Sequence, residues 1–410
     1  MINLEVPKKF NFVVGQAHQV AREVFRPISR KYDLAEHAYP KELDMLAAVI
    51  DGMQESGALS GAGAGGVGGG AARNGSSSGA EPGNRNGTNM ASLLGLIELC
   101  WGDVGLALAM PRQGLGQSAI AALADQDQLE RFGGKWAAMA ITEPEAGSDS
   151  AAIRTTAKLD GDQYVLNGEK IYVTAGDRAE LIVVWATLDR TQGRGAIKSF
   201  VVERDNPGLQ LDRLEHKLGI RASDTAAFRL QDCRVPKENL LGTPQIETKR
   251  GFAGVMQTFD NTRPLVAGMA IGVARACLEL TREHLEAAGI EIDYDRDGVP
   301  SQPAAAAEFI AMEADWEAAR LLTMQAAWMA DNRKPNSLQA SMAKAKAGRT
   351  GTDVALRCVA LCGATGYAEG ELLEKWARDA KILDLFEGTQ QIQLLIIARA
   401  LLGKTSAELK

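Results

Sequence analysis

Apolar residues recur at helical spacing through "FVVGQAHQVAREVF" and "PKELDMLAAVIDGM", so residues 10–55 are expected to be helical. The pattern then vanishes. Residues 56–89, "SGALSGAGAGGVGGGAARNGSSSGAEPGNRNGTN", are rich in Gly, Ser and Asn and hold too little apolar surface for a core, which predicts a mobile loop. No Gly-Lys-Ser or Gly-Lys-Thr step follows these glycines, so a phosphate-cradling loop is not supported. Helical spacing resumes at "MASLLGLIELC" and runs to about residue 132. Pro111, in "ALAMPRQGLGQ", is expected to bend this region.

The period changes next. "KWAAMAITE", "TTAKLDGDQYVLNGEKIYVTAG", "ELIVVWATL", "IKSFVVERD" and "AAFRLQDCRVP" are β-rich, with "DGDQ" and "NGEK" as tight-turn signals of the hairpin type. From residue 250 the helical period returns in four long runs. Helices, sheet, helices, with no βαβ alternation and no dinucleotide-binding glycine fingerprint, predict an α+β fold. Its expected parts are an N-terminal α-helical domain over 1–136, a middle antiparallel β-barrel or sheet domain over 137–245, and a C-terminal four-helix bundle over 246–410.

A length of 410 residues supports two or three cores. The net charge of -7 argues against a general nucleic-acid binder, which needs a basic face. The five cysteines form no CxxC pair, and Cys358 and Cys362, four apart on one helix, read as small buried residues. The four histidines are scattered and no HExxH occurs, so no metal site is expected. "MINLEVPKKFNF" carries no signal-peptide pattern, and no run of about twenty apolar residues is visible, so no membrane span is expected. A cytoplasmic, reducing location is the corresponding expectation.

"DLFEGTQQIQ", residues 384–393, sets one carboxylate, Glu387, between an apolar run and a Gly-Thr-Gln step. Gly388 permits backbone angles other residues resist, and Thr389 reads as a helix start. Glu387 is therefore expected at a junction between two elements, where a side chain can face a cleft. A surface glutamate stabilised by the following helix dipole is the alternative on this stretch alone.

Six ordered motifs carry a resemblance. "AITEPEAGSD" (140–149), "LNGEKIYVTAG" (166–176), "LGIRASDT" (218–225), "VPKENLLG" (235–242), "FDNTRP" (259–264) and "RDAKILDLFEGTQQIQ" (378–393) resemble the acyl-CoA dehydrogenases in content, order and spacing. The resemblance implies FAD held between the sheet and the C-terminal helices. Thr142 and Ser148 match hydroxyls near the flavin ring, Tyr172 and Thr174 match positions flanking the ring and its N5 edge, and Thr389 and Gln391 belong to the same cofactor-binding set. It implies Glu387 as the base that takes the α-proton of a CoA thioester while the β-hydrogen leaves as hydride. Leu385 and Phe386 are expected to raise the pKa of that base. Ser148, Asp260, Arg263 and Gly388 are the implied substrate contacts, with Arg263 open to a role at a CoA phosphate or in its own helix. Thr262 stands where some relatives carry the base and cannot serve as one.

Two departures stand out. The family's Arg-x-x-Phe-Gly stretch is replaced by the acidic "GIEIDYDRDGVPSQPAAAAEF", in which Arg296 is the only arginine, and Ala360 replaces a glutamine. Both positions serve a neighbouring subunit's flavin in the family. The reading is therefore an FAD-dependent acyl-CoA dehydrogenase with an acyl-CoA substrate and an electron-transferring flavoprotein as acceptor. It is expected as a homo- or hetero-oligomer, dimer or tetramer, the hetero form resembling actinobacterial heteromeric members. The alternatives are an acyl-CoA oxidase and a non-catalytic, flavin-poor stabilising subunit.

Overall fold

The computed structural model describes residues 6–55, 86–112, 115–246, 253–295, 301–405 and 408, the side chains of 49–55, 115 and 253–261 excepted. Most of the glycine-rich segment and Arg296 lie outside the described residues.

The chain opens with α1 (Asn11–Val20), a π-helical turn (Ala21–Phe25), α2 (Arg26–Leu34) and α3 (Glu42–Glu55). Next come α4 (Thr88–Ala109), α5 (Leu115–Leu123) and α6 (Gln126–Phe132). Among the described residues eight strands follow: β1 (Ala137–Ala140), β2 (Thr156–Asp160), β3 (Gln163–Thr174), β4 (Leu181–Thr187), β5 (Ile197–Glu203), β6 (Leu209–Leu214), β7 (Thr225–Pro236) and β8 (Leu240–Leu241). The C-terminal part holds α7 (Ala253–Ala287), α8 (Ala304–Asp331), α9 (Ser337–Tyr367), α10 (Leu373–Ala380) and α11 (Gln390–Leu402).

The strands form one sheet in the order β6-β7-β3-β2-β4-β5-β8, with β1 on β4. Most pairings are antiparallel, but β1–β4 and the single β2–β4 pair are parallel. The chain leaves β1 through the 141–155 loop and returns by a hairpin, so β4 meets β1 running the same way. "DGDQ" makes the β2–β3 hairpin at Gly161. "NGEK" does not turn: it lies inside β3, whose pairing with β7 is irregular between Leu166 and Gly168. A Cβ at Gly168 would sit 2.4 Å from Thr155 Oγ1, so glycine here answers a close backbone approach rather than a turn. All seven residues of β4 are buried because both faces are covered. Ile182, Val184, Phe200 and Phe228 pack on one side; Leu181, Val183 and Val201 meet Ile120 and Phe132 from α5 and α6 on the other.

Helices from both ends of the chain share one core. Phe25, Leu93 and Leu106 pack in the same cluster as Ile271, Phe309, Trp376 and Leu383. Helix α7 packs against α9 and against α4. A Cβ at Gly272 would lie 2.3 Å from the Ile97 carbonyl oxygen, so this position admits no side chain at this spacing, and one at Gly268 would lie 2.5 Å from the Leu93 side chain, which would have to shift. Thr88–Ala109 and Thr262–Ala287 are long and apolar enough to cross a membrane by length and composition; in each, 78% of the most apolar 18-residue stretch is buried inside the fold. Their charges are also matched internally. Glu98 of α4 accepts a two-point contact from Arg275 of α7 (2.8 and 2.5 Å), and Asp103 pairs with the buried Lys375 of α10. Pro111 does not bend α4, which ends at Ala109 and passes into a turn with Arg112 left-handed.

The sheet is tied to the helices through "LGIRASDT". Arg378 of α10 donates to the Leu218 carbonyl (2.9 Å), and the Ile220 N–H donates to Asp379 (2.5 Å). Gly87 and Asn89, ending the glycine-rich segment, donate through their N–H groups to Asp331 at the end of α8 (2.6 and 3.0 Å).

Candidate active site

Glu387 sits in the turn between a short 3-10 segment (Lys381–Asp384) and α11. The apolar "KILDLF" run cannot continue as a helix through Glu387 and Gly388, because both take left-handed backbone angles, φ 52 and 94. For a glutamate that geometry is strained by roughly 1–3 kcal/mol and persists only when neighbours hold it. Here they do. The Gln393 amide donates to the carbonyls of Glu387 (3.3 Å) and Gly388 (3.2 Å), and Lys344 Nζ donates to the Gly388 carbonyl (2.7 Å). Gln393 and Lys344 are fully buried. Thr389 caps α11, its hydroxyl accepting from the Ile392 N–H (3.3 Å). A Cβ at Gly388 would strike the Gln393 amide at 2.4 Å, so only glycine fits this turn.

The Glu387 side chain is half-buried. Burial pushes its carboxyl above the ordinary glutamate range; the Thr262 hydroxyl, donating to Oε2 at 2.6 Å, and the charges of Lys344 and Arg263 pull the other way. Phe386 packs against the helical core, whereas Leu385 is 45% exposed and does not contribute the apolar cover expected of it. Arg263 is 3% exposed, which puts its charge inside the fold rather than at the surface. Asp260 lies in α7, its side chain outside the described residues. Gln391 is exposed on the first turn of α11.

A second group of site residues is built on the sheet. The Ile171 N–H donates to the Thr142 carbonyl (2.9 Å), which ties the loop after β1 to β3. Next to that tie, Tyr172 is left-handed (φ 58), breaks the regular β3–β7 pairing between Lys170 and Val173, and stands 62% exposed. Thr142 and Thr174 are half-buried and Ser148 is exposed. Beneath them lies a buried pair that sequence reasoning missed. Lys170 Nζ donates to Glu143 (2.7 Å) and to the Ile141 carbonyl (3.0 Å). Glu143 also accepts from the N–H groups of Arg154 (2.5 Å) and Thr155 (2.9 Å). Burial pushes the Lys170 ammonium down to about 8 against the pull of Glu143. The signal was present: a lysine on the inward side of an alternating strand, and a glutamate in a loop rich in capping residues.

Three groups also meet that the sequence kept apart. Glu36, His37 and His216 place one ligand atom each within 4.8 Å of one another. Glu36 is already engaged there, with His216 Nδ1 at 2.8 Å and the Lys217 N–H donating at 2.8 Å.

The donor set fits a flavin. The Thr142, Ser148 and Thr174 hydroxyls make no side-chain hydrogen bonds among the described residues. Neutral hydroxyls beside an exposed aromatic suit an uncharged polar ring system.

Residues 138–233 match the acyl-CoA dehydrogenase middle domain, and residues 249–402 match the acyl-CoA dehydrogenase C-terminal domain. The mouse mitochondrial short-chain specific acyl-CoA dehydrogenase is 39% identical over 272 residues, 66% of this chain and 64% of that protein. The chain thus aligns with just under two thirds of that curated relative's length. Butyryl-CoA dehydrogenase from Megasphaera elsdenii superposes with a TM-score of 0.80 at 29% identity, covering 98% of this chain and 100% of that one. A glutaryl-coenzyme A dehydrogenase in complex with glutaryl-CoA gives 0.81 at 25% identity, over 99% and 98%. The chain belongs to the acyl-CoA dehydrogenase family, whose members are FAD-dependent oxidoreductases.

Proposed function

We propose that this chain is an acyl-CoA dehydrogenase in which Glu387 removes the α-proton of a saturated acyl-CoA thioester. The observation that carries the reading is the Glu387 carboxylate itself: half-buried, raised in pKa, held by Thr262 and set on a strained turn. A base must be ionised and of adequate strength at once, and burial opposed by one hydroxyl and two cations produces that balance. Glu387 takes the α-proton and the α C–H electron pair stays on carbon to form the double bond as the β-hydrogen leaves as hydride, for which bound FAD would supply the acceptor. Thr142, Ser148, Tyr172, Thr174, Thr389 and Gln391 are the residues proposed to hold the cofactor. Negative charge develops on the thioester oxygen as the proton leaves. Among the described residues no main-chain carbonyl accepts from the Glu387 N–H, which is the chain's own donor for that oxygen. Asp260, Arg263, Ser148 and Gly388 are the proposed substrate side. Electrons then pass to an electron-transferring flavoprotein; hydrogen peroxide released during turnover would place the chain among the oxidases instead.

Replacing Glu387 by Gln keeps size and hydrogen bonding while removing the base. We expect kcat/KM to fall by about 10²- to 10⁴-fold with flavin content unchanged. Activity retained in Glu387→Gln overturns the assignment.

A second reading follows from the replaced stretch after α7. Tyr294 there bonds Glu313 of α8 and accepts from Arg282, which also pairs with Glu313 at 2.5 Å. Ala360 is exposed on α9. Among the described residues, neither Tyr294 nor Ala360 is a cation, which supports a heteromer whose partner chain completes this site.

A further inference from the structure

We propose that Lys344 is a positioning residue for Glu387: its ammonium anchors the Gly388 carbonyl and fixes the left-handed turn from which the carboxylate projects. The inference rests on the reading of Glu387 as the base.

Lys344 lies on α9, and no part of it is exposed. A buried ammonium loses its hydration and normally recovers it through carboxylates. This one is aimed differently. Its hydrogen bond goes to a backbone carbonyl, that of Gly388, at 2.7 Å. Asp384 acts on it only through space and is itself paired with Lys381 (3.2 Å), with its Oδ1 buried and without a hydrogen-bond partner among the described residues. With that carboxylate taken by Lys381, the Lys344 ammonium serves the turn. Helix α9 is also pressed against the segment leading into the turn: a Cβ at Gly348 would lie 2.7 Å from the Leu383 carbonyl oxygen. One helix thus sets both the approach to Glu387 and the carbonyl after it.

Two consequences separate this role from simple packing. Without the anchor, Gln393 alone holds the Gly388 carbonyl, and the Glu387–Gly388 turn is free to relax toward ordinary backbone angles. Without the charge, the Glu387 carboxylate loses one of the two cations that favour its ionised form. The groups facing Glu387 are Thr262 and Arg263 from α7, Lys344 from α9, and Asp384 through Lys344 from the 3-10 segment. Lys344 both touches the turn and carries a charge. Removing it raises the Glu387 pKa further, so the acid limb of any base-dependent rate moves to higher pH.

The test uses the full chain with Lys344→Met and Lys344→Gln, beside Glu387→Gln. Two readouts are followed across pH: kcat and KM for a saturated acyl-CoA with an artificial electron acceptor, and exchange of the α-hydrogens of bound acyl-CoA with deuterium from solvent, read by mass spectrometry. The second reports the base without net turnover. In Lys344→Met, kcat and the exchange rate are expected to fall by about 10- to 100-fold with little change in KM, and the acid limb to move up. Lys344→Gln keeps a donor without the charge: a smaller loss of kcat is expected with the same displacement of the limb. If Lys344→Met fails to fold, Lys344→Gln carries the pH readout. An unmoved limb and wild-type exchange in either folded variant overturn the role of Lys344 while leaving the base in place. Exchange that survives in Glu387→Gln overturns the base assignment and this inference together.

Discussion

Thr262 shows how a residue set aside for lacking a charge can still govern one. It cannot act as a base, yet its hydroxyl donates to Glu387 at 2.6 Å and lowers the carboxylate pKa against the effect of burial. Valine has nearly the same shape and fits a position that is 4% exposed. In Thr262→Val the carboxylate loses a hydrogen bond that favours its charged form. The acid limb of kcat/KM is expected to move to higher pH, with a loss of about tenfold on the acid side. A limb identical to the wild type would remove Thr262 from the account. Stability runs opposite to rate. A glutamate whose native pKa is raised holds its proton more tightly when folded, so its contribution is complete below the ordinary glutamate pKa and lost as pH rises through the raised value. The junction position of Glu387 and the Thr389 cap were legible in "EGTQQ", because glycine and a hydroxyl before an apolar run have local meanings. The clamp formed by Lys344, Gln393 and Thr262 was not, because these groups converge from three helices.

The same division holds for the elements. The β2–β3 hairpin followed from "DGDQ", a short-range signal. "NGEK" gave the same signal and made no turn, since a tertiary contact with Thr155 fixes Gly168 within the strand. Parallel pairing of β1 with β4 leaves no local mark at all. Lys170 and Glu143 hold the loop of Thr142 against the strand of Tyr172. Removing one partner strands the other charge in the interior. Lys170→Met is expected to lower stability by about 3–5 kcal/mol, measured by chemical denaturation, while Lys170→Met combined with Glu143→Leu loses less than the two single changes summed. An additive pair of effects would mean that the two side chains do not act on each other.

For the whole molecule, helix–sheet–helix order was legible because the hydrophobic period switches twice along the chain. Sharing of one core by the two helical ends was not, since periodicity shows which face is buried and not against what. The replaced stretch after α7 belongs to this scale as well. If a partner chain completes the flavin site, protein purified alone holds FAD on few chains, and co-expression with that partner raises occupancy to every second chain. Flavin absorbance against protein mass decides this, and FAD on every chain of a homo-oligomer overturns the heteromer.

The tight seating of α4 on α7 has one more consequence, for the order in which the chain is made. Synthesis delivers α4 with its apolar surface complete while Gly268, Gly272 and Arg275 are still untranslated. The buried lysine that answers Asp103 is later still, on α10. Until then the nascent chain carries a helix with a sticky flank whose carboxylates meet His18 and Ser29 but not the cations that complete their pairing, and the sheet can close before that helix has a place to dock. Long-range docking of this kind slows folding and exposes intermediates to aggregation. Yield in a host cell should therefore respond more to chaperone supply and growth temperature than to any single contact in the finished site.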